Sequence, residues 1–220
     1  MAEIVVFGAG GRAGRLIAAE ALRRGHRVTG VARGPVDLGG AAVVVGDVTD
    51  AESVATAAAG HDAAIVSVYA PEPGLYDAAA SALLEALPRA GVRRLVVITT
   101  GTVLEVAPGT RFHDQPSFPS ELRPFSEARA RELDRLRADG ADLDWVAVAG
   151  PPTPLADGPG TGAYRVAVER LAPYDTPDGP STAFPYAPAS PPLRYADLAL
   201  AAVDEATEPR HHRVALAVHP

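Results

Sequence analysis

The sequence predicts an α/β protein built on a doubly wound, mostly parallel sheet of about seven strands, and three observations carry that prediction. Short β-branched apolar runs alternate with longer amphipathic segments along the chain. The runs are continuously apolar, the pattern of strands buried on both faces. The first run also opens into a glycine turn followed at once by a helical segment, "VVFGAGGRAGRL".

Each element follows in order. "EIVVFG" is the first strand, and a helix is expected over 11–24, with Leu16, Ile17, Ala21 and Leu22 at helical spacing and Gly25 as its stop. "RVTGVA" is the second strand. Only "RGPVDLGG" separates it from the third, "AAVVVG", which is too short for a crossover helix, so a loop or single turn is expected there. A helix over 50–60 begins at Asp50 or Ser53, either of which is a competent cap. "AAIVSV", a helix over 75–91, "RLVVITT", a helix over 121–139 and "DWVAVAG" continue the alternation; a helix over 195–207 and the strand "RVALAV" complete it. Residues 151–192 hold 11 of the 21 prolines, but Tyr164, Tyr174, Phe184 and Tyr186 supply apolar anchors that linkers lack. A small Pro-rich substrate cap is expected there, as a lid within a single domain spanning 1–220.

Composition removes whole classes of chemistry. A chain of 220 residues supports one sizeable core. Its net charge of −7 argues against nucleic acid or an anionic membrane surface as partner; the expected partner is a small-molecule substrate, for a monomer or homodimer. No apolar run reaches the length of a membrane span, and the N-terminus enters "EIVVFG" without a basic leader, so a cytoplasmic address is expected. Cysteine is absent, which excludes disulfides, thiolate catalysis and Cys-based metal sites; no metal site is expected. All 20 basic residues are arginine, so no mechanism that needs a lysine is available.

The glycine turn reads in two registers. Gly8, Gly10 and Ala13 fit G-x-G-x-x-G/A, whereas Gly8, Gly11 and Gly14 fit G-x-x-G-x-x-G. Either way, a turn between strand and helix lets the backbone approach a pyrophosphate and presents free amides and a positive dipole end to it. An NAD site carries Asp or Glu at the end of the second strand; here that end carries Arg33, which suits a 2′-phosphate. Arg12, inside the turn, points to the same region, and the cofactor expected is NADP(H). Asp47 and Val48, in "GDV", lie at the adenine pocket, where the carboxylate either accepts from the exocyclic amine or caps the following turn. Ser67, Val68 and Tyr69 end the fourth strand, and Thr99, Thr100 and Gly101 end the fifth. Ligands in open α/β sheets sit beyond the carboxyl ends of strands, so these two ends are expected to flank the nicotinamide.

Together "GAGGRAG", "VVVGDV", "HDAAIVSVYAP", "LPRAGVRRLVVITTG", "LDWVAVAGPP", "GTGAYRV" and "LRYADLALAAVDE" resemble the atypical short-chain dehydrogenase/reductases, Rossmann-like NAD(P)H-binding and epimerase/dehydratase-like proteins. Within them the sequence most resembles the flavin reductase/biliverdin-IXβ reductase branch. The resemblance implies the Gly8, Gly11, Gly14 register, NADPH, Pro151 at the cofactor, and reduction of flavins, quinones or related conjugated compounds. Two departures stand out. The Tyr-x-x-x-Lys pair of most short-chain dehydrogenases is impossible without lysine, and where the flavin-reductase relatives place a histidine after Pro-Pro, this chain has Thr153.

Few groups remain for chemistry. Thr100 is a candidate to hydrogen-bond a substrate carbonyl or the carboxamide, or is a structural hydroxyl. His113, in the loop after the fifth strand, has the pKa class of a general acid or base. Tyr69 and Tyr164 are candidates to stack on a ring. His211, His212 and Asp197 are expected to be structural. The expected function is an NADPH-dependent oxidoreductase acting on a conjugated or aromatic small molecule; the alternatives are an NADP-sensing binding module, and a non-redox isomerase or cyclase.

Overall fold

A computed structural model describes residues 1–70, 74–176, 179–182 and 192–220. Its strands are β1 (Glu3–Phe7), β2 (Arg27–Ala32), β3 (Ala42–Val45), β4 (Ala63–Val66), β5 (Arg94–Thr100), β6 (Glu105–Ala107), β7 (Thr110–Arg111), β8 (Asp144–Gly150), β9 (Arg165–Val168), β10 (Tyr174–Thr176), β11 (Gly179–Ser181) and β12 (Val214–His219). The helices are α1 (Arg12–Arg23), α2 (Ala51–Ala58), α3 (Gly74–Arg89), α4 (Arg123–Asp139) and α5 (Tyr195–Thr207). One eight-stranded sheet runs β3-β2-β1-β4-β5-β8-β12-β9, and β6-β7 and β10-β11 form two separate hairpins. The sheet is parallel except for β9, which pairs antiparallel with β12.

The expected α/β sheet is therefore present with one strand more than the seven read from sequence. The added strand, β9, is short and only partly buried, so it lacks the continuous apolar run that marks the others. Burial on both faces explains the rest. Val5 and Phe7 of β1 join a core with α2, α3 and α4, while Ile4 and Val6 join a second core with α1 and α5. Phe184 and Tyr186, expected to anchor the cap, lie outside the described residues.

Local chemistry sets the helix ends. At the close of α1, Gly25 takes φ +80°, its N–H donates to the Leu22 carbonyl and that of His26 to Ala21, a Schellman stop. Asp50 rather than Ser53 caps α2, accepting from the Glu52 N–H at 3.0 Å. Ser53 Oγ instead accepts from the Asp47 N–H at 2.9 Å.

The link from β2 to β3 is a loop, and one of its side chains takes the place of a helix. Leu38 is buried beneath β2, where a Cβ at Gly30 would stand 2.2 Å from its Cδ1. Among the described residues no helix covers β3, which is exposed along its length at the sheet edge. Leu38→Ala is expected to lower stability by about 2 kcal/mol, the low end for a buried leucine, read as a fall in the urea midpoint with an unchanged slope.

The strand order reverses between β1 and β4, so the connections leave the sheet in opposite directions there and open a crevice at the carboxyl ends. Among the described residues no helix is long and apolar enough to cross a membrane.

Candidate functional site

A cavity of about 750 Å³ fills that crevice. Of the residues expected to hold the cofactor, Gly8, Gly10, Gly11, Arg12, Ala13, Arg33, Asp47, Val48, Ser67, Val68, Thr99 and Pro151 all line it. Gly14 does not, because it faces inward and serves packing. Of the catalytic candidates, Thr100 and Tyr69 line the cavity and His113 does not.

Sterics separate the two glycine registers. Gly8 has φ +77°, and a Cβ there would stand 2.2 Å from the Ser67 carbonyl oxygen. At Gly14 a Cβ would meet the Gly8 carbonyl oxygen at 2.2 Å and Ala9 Cα at 2.9 Å, so the helix could not sit this close to the turn. A Cβ at Gly11 is tight, 3.3 Å from the Gly8 oxygen, whereas at Gly10 the nearest atom is 3.8 Å away. The spacing Gly8, Gly11, Gly14 thus carries the close approaches. Gly11 is also the N-cap of α1 and offers no side-chain cap, which leaves the first-turn amides without a protein partner beside the cavity. This bare, uncluttered helix start fits a pyrophosphate. Arg15 braces it, donating from Nε to the Gly10 carbonyl at 3.0 Å and from Nη1 to the Asp37 carbonyl at 2.9 Å.

Charge collects at one end of the cavity. Arg33 is exposed on the wall and has no hydrogen-bond or ion-pair partner among the described residues. Arg12 lies 3.8 Å from the Asp157 carboxylate through Nε, with its guanidinium 5.2 Å from the Tyr195 ring centroid. Asp47 Oδ1 accepts from the Thr49 N–H at 2.8 Å and the Thr49 hydroxyl at 2.7 Å. Those donors, with a further contribution from Arg33, hold its carboxyl below the usual range. Of the two roles open to Asp47, it fills the turn-capping one while still standing on the cavity wall.

The other end is aromatic. Tyr69 is exposed, with its ring centroid 5.7 Å from that of Phe125; Phe125 in turn meets Tyr76 edge-on at 5.9 Å. The buried Tyr76 hydroxyl donates to the Ala70 carbonyl at 3.0 Å and accepts from the Ala70 N–H at 3.1 Å, which ties the end of the β4 segment to α3. Thr100 Oγ1 caps the Gly101–Val103 turn, accepting from the Thr102 N–H at 3.4 Å. Its hydroxyl is thus structural and also at the cavity wall.

Phe125 and Arg129 were not legible as site residues in the sequence. They face the cavity from α4 at the four-residue spacing of Tyr-x-x-x-Lys, with neither of its residue types. A signal existed: Arg129 and Glu132 occupy the stripe of α4 that carries Ala130, Leu133 and Leu136 into the core. A buried charge on an apolar stripe marks a site of interest.

Two candidates move elsewhere. His113 is buried with Nδ1 2.7 Å from the Thr102 carbonyl oxygen, so its ring ties the loop after β5 to the Gly101–Val103 turn instead of reaching the cavity. Tyr164 donates its hydroxyl to Asp204 at 2.6 Å and lines a separate, smaller cavity beside α5. Asp197 is buried and accepts from the Gly162 N–H at 3.1 Å, while His211 and His212 pair with Glu205 and Asp144. His113→Ala is expected to lower stability by about 1–3 kcal/mol, the range for stranding a buried hydrogen-bonding group, and to leave nucleotide affinity within about twofold. Thermal unfolding alongside a nucleotide titration checks both halves.

Comparison with known proteins agrees with this geometry. Residues 8–178 match the family model of NAD(P)H-binding proteins, beginning at Gly8 itself. The chain belongs to the NAD(P)H-binding family. Members similar to it along their whole length include the uncharacterized Bacillus subtilis (strain 168) protein YwnB, 29% identical over 216 residues, covering 95% of this chain and 94% of that protein. Among solved structures, a Burkholderia pseudomallei protein provisionally described as exported is 33% identical with TM-score 0.84, and each chain is covered in full. A Streptococcus pneumoniae protein provisionally described as an NADH-flavin reductase is 27% identical with TM-score 0.81, covering 100% of this chain and 99% of that one. The family binds NAD(P)H, and the bare helix start and the glycine turn fit the pyrophosphate of such a dinucleotide.

Proposed function

We propose that the protein is an NADPH-dependent oxidoreductase that reduces a conjugated or aromatic small molecule. One observation carries the reading: a single cavity joins an unpaired arginine at one end, the glycine turn in the middle and an aromatic wall at the other. The likeness to the streptococcal protein, provisionally described as a flavin reductase, supports the same class of acceptor.

Arg33 would take the 2′-phosphate through its planar fork, with Arg12 beside it. The first-turn amides of α1, behind Gly11, would hold the pyrophosphate. The nicotinamide supplies the hydride when it is bound, so the protein's work is to orient the acceptor and exclude water. Tyr69, Phe125 and Tyr76 offer ring faces and edges for a flat acceptor, and the Thr100 hydroxyl is a wall group that can donate to its oxygen. Pro151 and Thr153–Leu155 border the same cavity and are the part of the 151–192 segment that would serve as a lid on it. A Thr hydroxyl is a poor acid at neutral pH, so the acceptors favoured are those that draw their proton from water, quinones and flavins rather than isolated ketones.

Titration of the purified protein with NADPH and NADH, followed by NADPH oxidation at its characteristic absorbance with a flavin and quinone panel, tests the reading. Turnover with at least one acceptor and tighter NADPH binding are expected. Tight NADPH binding with no turnover on any acceptor would instead favour the nucleotide-sensing module.

A further inference from the structure

The aromatic end of the cavity carries one charge on its wall. Arg12, Arg33 and Asp47 belong to the opposite end; Arg129 stands with Tyr76, Phe125 and Thr99. Its side chain is only 3% exposed. The guanidinium lies 4.4 Å from the Tyr76 ring centroid, donates from Nε to Thr99 Oγ1 at 3.3 Å and from Nη2 to the Ile98 carbonyl. Glu132, nearly one turn further along α4, is equally buried, with Oε2 3.0 Å from Arg129 Nη1. The contact is an ion pair without hydrogen-bond geometry. Arg129 Nη1, Glu132 Oε1 and Ser126 Oγ are all buried and make no hydrogen bond among the described residues. Three orphaned polar atoms in one cluster, of which only Arg129 belongs to a residue lining the cavity, are an unmet demand for a partner just behind its wall.

We propose that Arg129 and Glu132 form an anion-selective anchor: the acceptor taken by this cavity is an aromatic compound bearing a carboxylate, held at Arg129, with the proton on Glu132 setting the strength of that hold. The proposal rests on the reading of the cavity as a nicotinamide-dependent site and names the substrate class of that site. Arg129 acts on binding through the charge of its guanidinium, which stands on the cavity wall at the aromatic end, where little water screens it. Glu132 is a positioning residue that acts through Arg129. When Glu132 is neutral the guanidinium charge is uncompensated and attracts an anion; when it ionises, the pair is neutral and the attraction fades.

Burial raises the Glu132 carboxyl to about 7, opposed by the Arg129 charge, so the anchor is strongest below neutral pH and weakens above it. The elements packed against the pair present the following groups. Tyr76 faces it from α3, with its phenol pushed up mainly by burial. β5 presents Ile98 and Thr99, and the Gly101–Val103 turn carries no ionisable side chain. On the Phe112–Asp114 turn, His113 is engaged by the Thr102 carbonyl with Asp114 beside it. Glu121 of the Ser120–Leu122 turn and Asp142 of the Gly140–Asp142 turn are exposed.

The test is calorimetric titration of NADP⁺-saturated protein with 2-naphthoate and its neutral isostere 2-naphthamide, at about pH 6 and about pH 8.5, where the naphthoate stays ionised. In the unsubstituted protein the carboxylate is expected to bind about tenfold tighter than the amide at the lower pH, and that preference is expected to fall to about twofold at the higher pH. Glu132→Gln should keep the tenfold preference at both pH values. Arg129→Gln should abolish it at both. Equal binding of the two probes by the unsubstituted protein, or a pH dependence that survives Glu132→Gln, overturns the proposal even if Arg129→Gln fails to fold. Failure of NADP⁺ to bind in the initial saturation would instead overturn the nucleotide reading, and the same probes on the nucleotide-free protein then decide the anchor.

Discussion

Gly14→Ala is expected to weaken NADPH binding by at least about 100-fold and to lower stability by about 1–3 kcal/mol, the range for overpacking a close-packed contact. The added Cβ would lie 2.2 Å from the Gly8 carbonyl oxygen and 2.9 Å from Ala9 Cα, both backbone atoms of the turn itself. Neither can swing aside like a side chain, so α1 must move away from β1. That movement would displace the amides proposed to hold the pyrophosphate, and binding is expected to be lost with them. Gly10→Ala is the control for position. Its Cβ would have Ala32 Cβ at 3.8 Å and Val36 Cγ2 at 3.9 Å, ordinary contacts, so a loss of less than about tenfold is expected. Calorimetric titration of both variants, with urea unfolding of each, checks the pair. Comparable losses in the two would show that the close approach is not centred on Gly14.

Arg33→Asp is expected to reverse the cofactor preference, lowering NADPH affinity by about 100-fold or more while changing NADH affinity by only a few-fold. The size follows from losing a charge-assisted contact and gaining a repulsive one: a carboxylate at position 33 would face the 2′-phosphate, and Asp47 already places one beside it. NADPH binding to the unsubstituted protein should also weaken as salt rises, because Arg33 is exposed and screened. Direct titration with both nucleotides at two ionic strengths measures this. NADPH affinity unchanged in the variant would sink the proposed phosphate clamp.

Much of the scaffold was legible because the signals are local. Helices read as 11–24, 50–60, 75–91 and 195–207 correspond to α1, α2, α3 and α5 within a few residues, since apolar spacing and end signals such as Gly25 and Asp50 act within one turn. β9 escaped because it is half-exposed and its pairing with β12 is a long-range contact. The glycine-turn end of the cavity was legible because a glycine turn, a strand end and a helix start are consecutive in the chain. The aromatic end was not. Tyr76, Thr99, Phe125 and Arg129 come from α3, β5 and α4, and nothing local to any one of them tells it of the others.

His113 and Arg129 make the division plain. By residue type and loop position His113 was the better candidate, yet it is turned inward onto the Thr102 carbonyl, while Arg129, on a helix stripe that should be apolar, reaches the cavity. The sequence by itself determined the alternation of strands and helices, the place of the glycine turn, the absence of any lysine or cysteine chemistry, and the arginine at the end of the second strand. The packing of α3 and α4 against the sheet alone decided which side chains converge on the aromatic end of the cavity and which charge is buried there. Periodicity encodes which face of an element leaves water, whereas convergence between elements depends on how those faces dock.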